Sequence, residues 1–563
     1  MRFNRVPISR RTIRMKNYTG IKPSRRIWWR QFALGLTVST LAACSPFGGD
    51  DKNAIPRGTV GFVKGFIGGV AADEPRAVLI GRDVLAAGGS AADAAVAVYF
   101  AMSVTRPSSA SLGGGGVCLV RDQKSEKVET LDFRALAANR QAANGEFPVA
   151  IPGNPLGFFA LHAKYGRLKW AELIRPAENL ARFGNQISRA LGQDIILAGQ
   201  KLLSDPEAKR LFGRADGQGL YREGDFLKQT ELSGTLARIR AHGGGQLYSG
   251  PYAREFVSAV NAVGGDLDYE DLRKFRPQWR PSISVAFIKG SALHFPSPPG
   301  SAGVSAAQIA SMLTYGDLFE DADEGQRAHL MAEVIERSLA DRANWKAKSV
   351  PPDQLVSLGR TERLLDTYDR KRRVVTPGAA AAGLDPTSQS SGSSFSVMDF
   401  EGSAVACSLS MNKPFGAGRV PRGTGVIIAP EANDSSDSFA TMMLVNTLSN
   451  TMYYVSSASG GSLASSAMMN VAAYGLVDDD GTLESAMNRK RIHHGGADGI
   501  TYMEAGIRES VISGLAKRGH KTAFVNSMGI VNAVLCVNGI PHENIDCSAR
   551  SDPRGFGMAT STE

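Results

Sequence analysis

The residues that could most directly carry out a reaction are the serines between positions 390 and 394, which stand directly before two apolar segments. A polar run rich in turn-forming residues, 385–391, leads into the segments FSVMDF and AVACSLSM, which are joined at Glu401-Gly402. An acidic residue followed by glycine between two such segments predicts a β-hairpin. Cutting the chain here would leave a hydroxyl residue at a new amino terminus, where it could act as a nucleophile. The alternative is a serine-rich surface loop that enters a hairpin.

Two other segments carry residue types that amide chemistry needs. The apolar segment 130–133 ends at Arg134, a cation that could form a surface ion pair or bind a substrate carboxylate through its forked N–H groups. Further along, Gly460 and Gly461 precede the predicted helix 464–474. A Gly-Gly turn before a helix exposes unpaired main-chain N–H groups, which is the geometry of an oxyanion hole. A simple turn would give the same pattern, so both interpretations stay open.

The four glycines at 113–116 indicate a structural role for this segment. They lead into the apolar segment 117–120, where glycine permits tight turns and close approach of main chains. The sequence has neither the Lys-Ser/Thr ending of a phosphate loop nor the spacing of a dinucleotide site here. No Cys-x-x-Cys pair and no His-rich spacing indicates a metal site. We therefore expect no cofactor and no metal.

The first 43 residues differ in kind from the rest of the chain. They contain ten Lys or Arg, no Asp or Glu, and an apolar run at 32–43 that is too short to span a bilayer as a stable helix. A basic segment, a short apolar segment and small residues before a cut site are typical of a secretory signal. The sequence LAAC at 41–44 resembles the lipobox of bacterial lipoproteins, in which the cysteine is lipidated. An ordinary signal or a short anchor is the alternative to lipidation at Cys44.

The net charge of +10 belongs to this leader. Ten of the 64 basic residues precede Cys44, and the remaining 54 balance the 54 acidic residues. The mature chain is therefore formally neutral, and its composition gives no indication of nucleic acid binding. Its hydrophobic content of 43% is that of a soluble globular protein.

Four cysteines follow Cys44, in what the leader predicts to be an oxidising compartment. Cys536 and Cys547 flank a segment with an Asn-Gly pair and a proline, so they could form a disulfide across a hairpin. Cys118 and Cys407 lie in apolar, strand-like segments, and we expect them to be buried thiols.

The pattern of elements favours layered α+β structure. Apolar residues at helical spacing mark 75–87 and 90–102, with Ser90 as an N-cap and Asp93 expected to hold a structural hydrogen bond. Helices that alternate with hairpins favour α+β layers over a parallel doubly wound sheet. The segment 346–391 is expected to be a linker or a long excursion over the surface. Segments predicted as strands include 282–287, 423–429, 451–455 and 523–537.

Eleven segments, in order along nearly all of the mature chain, resemble the gamma-glutamyltranspeptidase family. One such match would be weak, but eleven in sequence make the resemblance specific. The segments are GGSAADAA (88–95), GGGG (113–116), DFR (132–134), VAIPGNPLG (149–157), YGRLKWAE (165–172), YSG (248–250), GGDL (264–267), PSPPGSAG (296–303), the hairpin 395–412, SGGS (459–462) and SDPR (551–554).

The resemblance implies a four-layer αββα sandwich of the N-terminal-nucleophile hydrolase type. It also implies a precursor that cuts itself, after which the new terminal residue attacks a γ-glutamyl amide and forms an acyl-enzyme. The implied substrate-binding residues are Arg134 for the α-carboxylate, Asp434 for the α-amine, and Asn412 for the carboxylate end. The implied catalytic groups are Ser410, which would support the nucleophile, and the N–H groups of Gly460 and Gly461, which would form the oxyanion hole.

Several positions depart from the family pattern. The family has Thr-Thr where ungapped alignment on 395–399 places Gly392 and Ser393, and glycine has no hydroxyl. We therefore expect the cut to fall between Gly392 and Ser393, with Ser393 as the nucleophile; the alternative is an inactive site. Glu431 stands at a substrate-binding position where the family has Gln. The family's paired serines are missing, since the equivalent region, 439–443, is FATMM.

These inferences divide the chain into a signal peptide at 1–43, a large-subunit-like region at 44–392 and a small-subunit-like region at 393–563. We predict a self-processing γ-glutamyl hydrolase or transferase that acts on small glutathione-like amides. The expected location is the bacterial cell envelope, facing the periplasm from the outer membrane, with a lipid anchor at Cys44 and no nucleic acid partner. The alternatives are an inactive family member that serves as a periplasmic binding lipoprotein, or an acylase for a different amide.

Overall fold

The computed structural model describes residues 66–561, with gaps at 139–146, 215, 289, 349, 379–391, 433–438, 478–480 and 497. Contacts divide the chain into residues 1–60 and 61–563, and all of the described residues belong to the second unit. The predicted signal peptide, Cys44, the polar run 385–391 and Asp434 lie outside the described residues. Within the described part, no helix is both long and apolar enough to cross a membrane.

Strands and helices both occur throughout the described part of the chain. The strands are β1 (Gly68–Ala72), β2 (Gly115–Asp122), β3 (Lys127–Phe133), β4 (Leu136–Ala137), β5 (Ala150–Ile151), β6 (Asn185–Gln186), β7 (Phe226–Leu227), β8 (Gln278–Pro281), β9 (Ile283–Ala286), β10 (Ser291–Phe295), β11 (Gly392–Asp399), β12 (Ala404–Ser410), β13 (Ala440–Asn446), β14 (Thr451–Ser459), β15 (Ile492–His494), β16 (Ile500–Glu504), β17 (Lys521–Val525), β18 (Ile530–Ile540), β19 (Cys547–Ser551) and β20 (Met558–Ser561). The helices are α1 (Pro75–Ala86), α2 (Ala91–Thr105), α3 (Pro107–Ala110), α4 (Asn154–Tyr165), α5 (Trp170–Phe183), α6 (Arg189–Leu197), α7 (Gly199–Leu203), α8 (Pro206–Phe212), α9 (Thr230–His242), α10 (Gly250–Ala262), α11 (Tyr269–Lys274), α12 (Ser301–Leu313), α13 (Glu324–Lys348), α14 (Leu358–Leu365), α15 (Ala464–Ala472), α16 (Leu483–Asn488) and α17 (Glu509–Lys517).

Two antiparallel sheets lie face to face at the centre of the described structure. The first has the strand order β20-β1-β11-β12-β2-β3-β8, and the second has the order β19-β18-β14-β13-β10-β9. Apolar side chains fill part of the space between them, where Met398 of β11 shares a cluster with Val455 and Val534 of the second sheet. Side chains alternate between the two faces of a strand. A strand that is buried on both faces therefore carries mostly apolar side chains.

Helices cover the outer face of each sheet. Helix α2, which is buried at every residue, packs with Phe395 and Val397 of β11 against the first sheet. Its alanines permit this close approach because they add little bulk. Helices α12 and α15 pack in the same way against the second sheet. The layers are therefore helix, sheet, sheet, helix, which confirms the predicted αββα class.

The start of α2 confirms the structural role predicted for Asp93. Ser90 and Asp93 form a reciprocal capping box in which each side chain accepts the other's main-chain N–H. The same carboxylate accepts N–H groups from Arg167 and Leu168. A fully buried carboxylate needs such partners, and Asp93 holds the loop after α4 against the start of α2.

The cysteine predictions were half right. Cys536 and Cys547 form the disulfide expected across a hairpin, between paired positions of β18 and β19. Cys118 and Cys407 also form a disulfide, so the prediction of two buried thiols was wrong. These two residues are 289 positions apart in sequence but lie directly opposite each other in β2 and β12. Only the strand register, which sequence spacing does not reveal, brings their sulfur atoms together.

Two segments differ from their predictions. Residues 424–429 are buried and residue 423 is exposed, but the segment 423–429 forms no strand. Its main chain bonds to the chain at the glycine-rich loop, with Ile427 N–H donating to Ser111 Oγ at 3.1 Å. The described part of the expected linker 346–391 includes helix α14. Apolar composition predicted burial correctly in the first case and gave no information on hydrogen-bond partners.

A third, smaller sheet packs on the long helix α13. Its strand order is β15-β16-β17, and β16 and β17 run parallel. Ala328 and Ala332 of α13 share an apolar cluster with Ile492, Met503 and Leu515. This sheet therefore packs against α13, whose Leu330 and Val334 also belong to the apolar cluster of the second sheet.

Candidate active site

The predicted cut point lies at the start of a central strand. Gly392 is the first residue of β11, which runs between β1 and β12, and it pairs with Ser410 of β12. Ser410 in turn pairs with Gly115 of β2. A break before Ser393 would therefore place a new amino terminus at one end of the first sheet, inside the molecule.

The two faces of β11 are chemically different. Ser394 and Ser396 face the second sheet, where Ser396 Oγ lies 3.0 Å from Ser457 Oγ and Ser394 Oγ accepts from Asn532 Nδ2 at 3.1 Å. Gly392 shares this face because side chains repeat every two residues. The family's nucleophile position is thus on the face between the sheets.

Ser393 lies on the other face. Its side chain is fully buried, and its Oγ hydrogen-bonds to the hydroxyl of Ser109 in α3. Phe395, two residues on, packs among the helices on the same face. In the uncut chain, the predicted nucleophile therefore points into the helical layer.

Gly460 and Gly461 lie at the same end of the sandwich as Gly392. Strands β11 and β14 run in opposite directions where they face each other, and Ser396 lies opposite Ser457. Two residues further along each strand, the Asp73 carboxylate binds both Ser394 N–H and Ser459 Oγ at 2.9 Å. Two more residues along each strand lead to Gly392 in β11 and to the Gly-Gly turn that follows β14.

This turn has a geometry that only glycine accommodates well. Gly460 and Gly461 have φ values of +131° and +59°, and a Cβ on Gly460 would lie 2.6 Å from Gly529 Cα. The chain then enters the 3-10 turn Gly461–Leu463 and helix α15. The main-chain N–H groups at the start of a helical segment give it a partial positive charge, which suits an oxyanion.

Asp73 is a candidate functional residue that the sequence reasoning missed. It follows β1 directly, is 1% exposed, and accepts hydrogen bonds from Ser394 N–H, Ser459 Oγ and Asn532 Nδ2, the last at 2.6 Å. Burial raises the pKa of its carboxyl group, and the nearby Arg106 opposes that shift. An acidic residue after an apolar strand was the available signal. Asp73 fixes the main chain one residue beyond the predicted nucleophile.

Ser410 and Asn412 lie beside the cut point, across the hairpin. Asn412 N–H donates to Ser410 Oγ at 2.9 Å, and Asn412 Nδ2 donates to the carbonyl of Pro430 at the same distance. Asn412 has a left-handed main chain, with φ of +60°, a conformation that asparagine tolerates better than most residues. Glu431, next to Pro430, is exposed and is tied to Pro148 through its main-chain N–H. The structure therefore brings Ser410, Asn412 and Glu431 into one neighbourhood.

Arg134 lies at the same end of the first sheet, directly after β3. Gly116 pairs with Phe133, and a Cβ on Gly115 would lie 2.1 Å from Ala135 N. The four-glycine run is thus a place where main chains approach closely, as its pattern predicted. Neighbouring positions across β11, β12, β2 and the end of β3 are occupied by Gly392, Ser410, Gly115 and Arg134. The predicted arginine and the cut point therefore lie at the same end of the first sheet.

The guanidinium of Arg134 already has a carboxylate partner. Its Nε and Nη2 donate to Asp132 at 3.0 and 3.1 Å, and Arg280 also donates to Asp132, at 2.7 Å. Burial disfavours the charged carboxylate, but the two arginines outweigh it and hold the pKa of Asp132 below its ordinary value. Asp132 therefore orients Arg134 and uses part of its hydrogen-bonding capacity.

Comparison with known proteins agrees with this architecture. The family model described as gamma-glutamyltranspeptidase matches residues 77–447 and 428–562. The chain belongs to this family. The glutathione hydrolase proenzyme of Escherichia coli is 26% identical over 520 residues, which cover 83% of this chain and 88% of that protein. The acylase ACY 1 proenzyme of Pseudomonas sp. strain V22 is 29% identical over 502 residues, covering 81% and 87%.

A solved structure has the same fold. The cephalosporin acylase from Bacillus halodurans superposes with a TM-score of 0.74 at 21% identity, covering 90% of this chain and 98% of that one. Members of the gamma-glutamyltranspeptidase family are enzymes that transfer or hydrolyse acyl groups of amides, and the chain is a member of that enzyme class. The departure from the family pattern that affects the nucleophile is Gly392, which supplies no hydroxyl on the face between the sheets.

Proposed function

We propose that the chain is a self-processing γ-glutamyl hydrolase or transferase in which cleavage between Gly392 and Ser393 makes Ser393 the amino-terminal nucleophile. The observation that carries this proposal is the position of β11. Its first residue lies at the sandwich end that also holds Gly460 and Gly461, so a nucleophile and oxyanion donors would meet there.

Cleavage must also change the direction of the Ser393 side chain. In the uncut chain, the preceding peptide holds Ser393 Oγ on the helical face, against Ser109. A terminal residue has no preceding peptide, so rotation about its ψ angle can carry the hydroxyl toward the face between the sheets. Ser394 stays fixed by Asp73 during this change. The anchored residue makes rotation of Ser393 a local event.

The reaction then follows from the groups at this edge. The hydroxyl of Ser393 attacks the γ-carbonyl carbon, and its proton passes to the free α-amine of the same residue. The oxyanion accepts N–H groups of Gly460 and Gly461. The α-amine returns the proton to the departing amine, which leaves a γ-glutamyl ester on Ser393. Water or an amine acceptor then attacks the ester and releases the serine.

The substrate's two charged groups need opposite partners. Arg134 would bind the α-carboxylate with the N–H groups that Asp132 does not use, and Asn412 would hold the same end. Asp434 would bind the α-amine, with Glu431 as a second anion close to Asn412. A zwitterionic γ-glutamyl group requires one cation for its carboxylate and one anion for its amine.

The two pieces of a cut chain would remain together. Strands β1, β2 and β3 of the first sheet come from residues before the cut, whereas β11, β12 and β20 come from residues after it. The second sheet is divided in the same manner, with β9 and β10 from the first piece. The regions 44–392 and 393–563 would therefore act as two subunits of one folded unit.

An acylase for a different amide is the second candidate. The specific reason is that Asp132 already occupies two N–H groups of Arg134. Such an arginine has less capacity for an α-carboxylate, and an acyl group without that carboxylate would not need it. One relative, the acylase ACY 1 proenzyme, bears the name of that activity.

The test compares two matched amides. Purified protein is mixed with γ-glutamyl and α-glutamyl anilides, and the mass of the fragment that begins at Ser393 is followed. We expect that fragment to gain one γ-glutamyl group transiently, and only the γ-linked anilide to release aniline. A fragment that carries no acyl group with either anilide would contradict the γ-glutamyl assignment.

We also propose that the mature protein is a lipoprotein, anchored through Cys44 and facing the periplasm from the outer membrane. The basic leader and the LAAC sequence at 41–44 support this location. Cys44→Ala should move the protein from the membrane fraction to the soluble fraction. Unchanged partition between the fractions would contradict the anchor.

A further inference from the structure

Three side chains of metal-binding type meet where α13 packs against the third sheet. His329 and Glu333 lie one turn apart on α13, and His520 stands just before β17 of the third sheet. One ligand atom from each of the three lies within 4.8 Å of the other two. All three residues are buried, with Glu333 and His329 at 0% exposure.

The two histidines point their inner nitrogens at each other. His329 Nδ1 lies 2.7 Å from His520 Nε2. The outer nitrogen of His329 donates to the carbonyl of Asp369 at 2.8 Å, and the outer nitrogen of His520 lies 2.9 Å from Thr501 Oγ1. Metal-bound histidines characteristically have their outer nitrogen held in this way by a carbonyl or another polar group, because it fixes the ring orientation.

Glu333 supplies an unsatisfied oxygen. Its Oε2 pairs with Arg337 at 2.5 Å, whereas Oε1 is buried and makes no hydrogen bond of normal geometry with any described residue. The N–H of Val374 lies close enough to lower the pKa of this carboxyl group, yet burial is the larger influence and raises it to about 7. A bound cation would give this buried oxygen a strong partner.

We propose that His329, Glu333 and His520 bind one divalent transition-metal ion of the Zn²⁺ class. Two imidazoles and one carboxylate are a common three-ligand set for Zn²⁺, with water at the fourth position. The ligands come from α13 and from the chain before β17. The ion would therefore join the long helix to the third sheet.

The proton balance of binding is simple. Without metal, one proton lies between the two rings, and the Thr501 hydroxyl donates to His520 Nδ1. With metal, His520 carries its proton on Nδ1 and donates it to Thr501, while Nε2 and His329 Nδ1 face the ion. Glu333 releases any proton it carries.

The surrounding charges limit the affinity. Arg337 holds the second oxygen of Glu333, and Arg373 and Arg518 act on His520 by Coulomb repulsion. These cations oppose a metal ion, whereas the Glu333 carboxylate offsets one of its two charges. We therefore expect weaker binding than at a site of several cysteine thiolates, but binding at one defined stoichiometry.

The test uses the purified protein after removal of metal with a chelator. Zn²⁺ is added back, bound metal is measured after dialysis, and Co²⁺ is used in parallel because its visible spectrum reports tetrahedral coordination. We expect about one ion per chain, and a rise in Tm of about 2 °C at a hundredfold excess over Kd. Wild-type protein that retains less than about a tenth of an equivalent and gives no Co²⁺ band would overturn the proposal.

Matched variants locate the ion. Glu333→Gln and His520→Gln should abolish retention and the Co²⁺ band. His493→Gln is the control, because His493 is also buried but bonds to Ser466 outside the cluster. Loss of metal in the control as large as in the two ligand variants would contradict this site. Because none of these readouts is amide cleavage, their failure is distinguishable from failure of the proposed function.

Discussion

The two faces of β11 carry different chemistry, although both are buried. On the face toward the second sheet, Ser394 and Ser396 belong to a hydrogen-bonded set with Asp73, Ser457 and Asn532. On the face toward the helices, the neighbours are apolar, and Ser393 bonds to Ser109. The position that carries the nucleophile in the family lies on the polar face, where this chain has glycine. The available hydroxyl lies on the apolar face.

This difference shows what a cut must accomplish here. In the family pattern that this sequence resembles, the nucleophile position corresponds to Gly392, which lies on the face of β11 toward the second sheet. In this chain, cleavage must free the amine and also permit Ser393 to turn. The polar face is arranged in advance by Asp73, so the movement is confined to the terminal residue. The single variants below each alter one face, whereas the double variant at positions 392 and 393 alters both.

The largest effect is expected from Ser393→Ala. Without this hydroxyl the chain should stay uncut, and amide hydrolysis should fall by about a thousandfold or more. Gel analysis and rates with the γ-glutamyl anilide measure both. Ser109→Ala is the matched control, because it removes the hydrogen-bond partner on the helical face and should leave processing intact.

A second variant separates a lost nucleophile from a damaged strand. Gly392→Thr in the Ser393→Ala background returns a hydroxyl to the polar face, and should restore cleavage one residue earlier. If Ser393→Ala is cut and active like the wild type, the assignment of the nucleophile is wrong.

A smaller effect is expected from Asp73→Asn. The amide offers an N–H group where the carboxylate accepted three hydrogen bonds, which should cost about 1–3 kcal/mol of stability and slow processing by about tenfold or more. Time courses of cleavage and urea unfolding measure the two effects. Glu74→Gln is the control, since Glu74 is equally buried but bonds to Ser188, away from β11. Equal slowing in both variants would remove the special role of Asp73.

Arg134→Lys tests the carboxylate end of the same edge. Lysine cannot reproduce the forked donors of arginine, so KM for a γ-glutamyl anilide should rise about tenfold, equivalent to about 1.4 kcal/mol. Arg280→Lys alters the other partner of Asp132, on the edge strand β8, and should change KM little. An unchanged KM in Arg134→Lys would favour the acylase alternative.

The smallest effect on activity is expected from removing the disulfide between Cys118 and Cys407. This bond lies on the helical face of the first sheet. The double alanine variant should lose about 2–4 kcal/mol of unfolding free energy while keeping its kcat. Activity that falls together with stability would show that the helical face also positions the active site.

Much of the fold was predictable, because apolar periodicity and ordered motifs each reflect local needs. Helix α2, its Ser90 cap and the hairpin at Glu401-Gly402 follow from residues close in sequence. The Cys118–Cys407 disulfide did not follow, since its partners meet through strand register. Residues 423–429 were predicted as a strand because composition indicates burial and not hydrogen-bond partners.

The candidate site was predictable in its parts but not in its orientation. Arg134, Ser410, Asn412 and the Gly-Gly turn were chosen from motifs, and the structure places them along one end of the sandwich. The direction of Ser393 depends on a two-residue alternation whose phase only the packed sheet reveals. Asp73 and the pair His329–His520 were missed because their partners lie 321 and 191 positions away in the sequence.

The most direct test of the central claim is the mass and terminal sequence of the purified protein. We expect two fragments that stay together in native buffer and separate on denaturation, with the smaller beginning Ser-Ser-Phe-Ser at Ser393. A single uncut chain, or a cut that leaves another residue at the new terminus, would contradict the assignment of Ser393 as nucleophile.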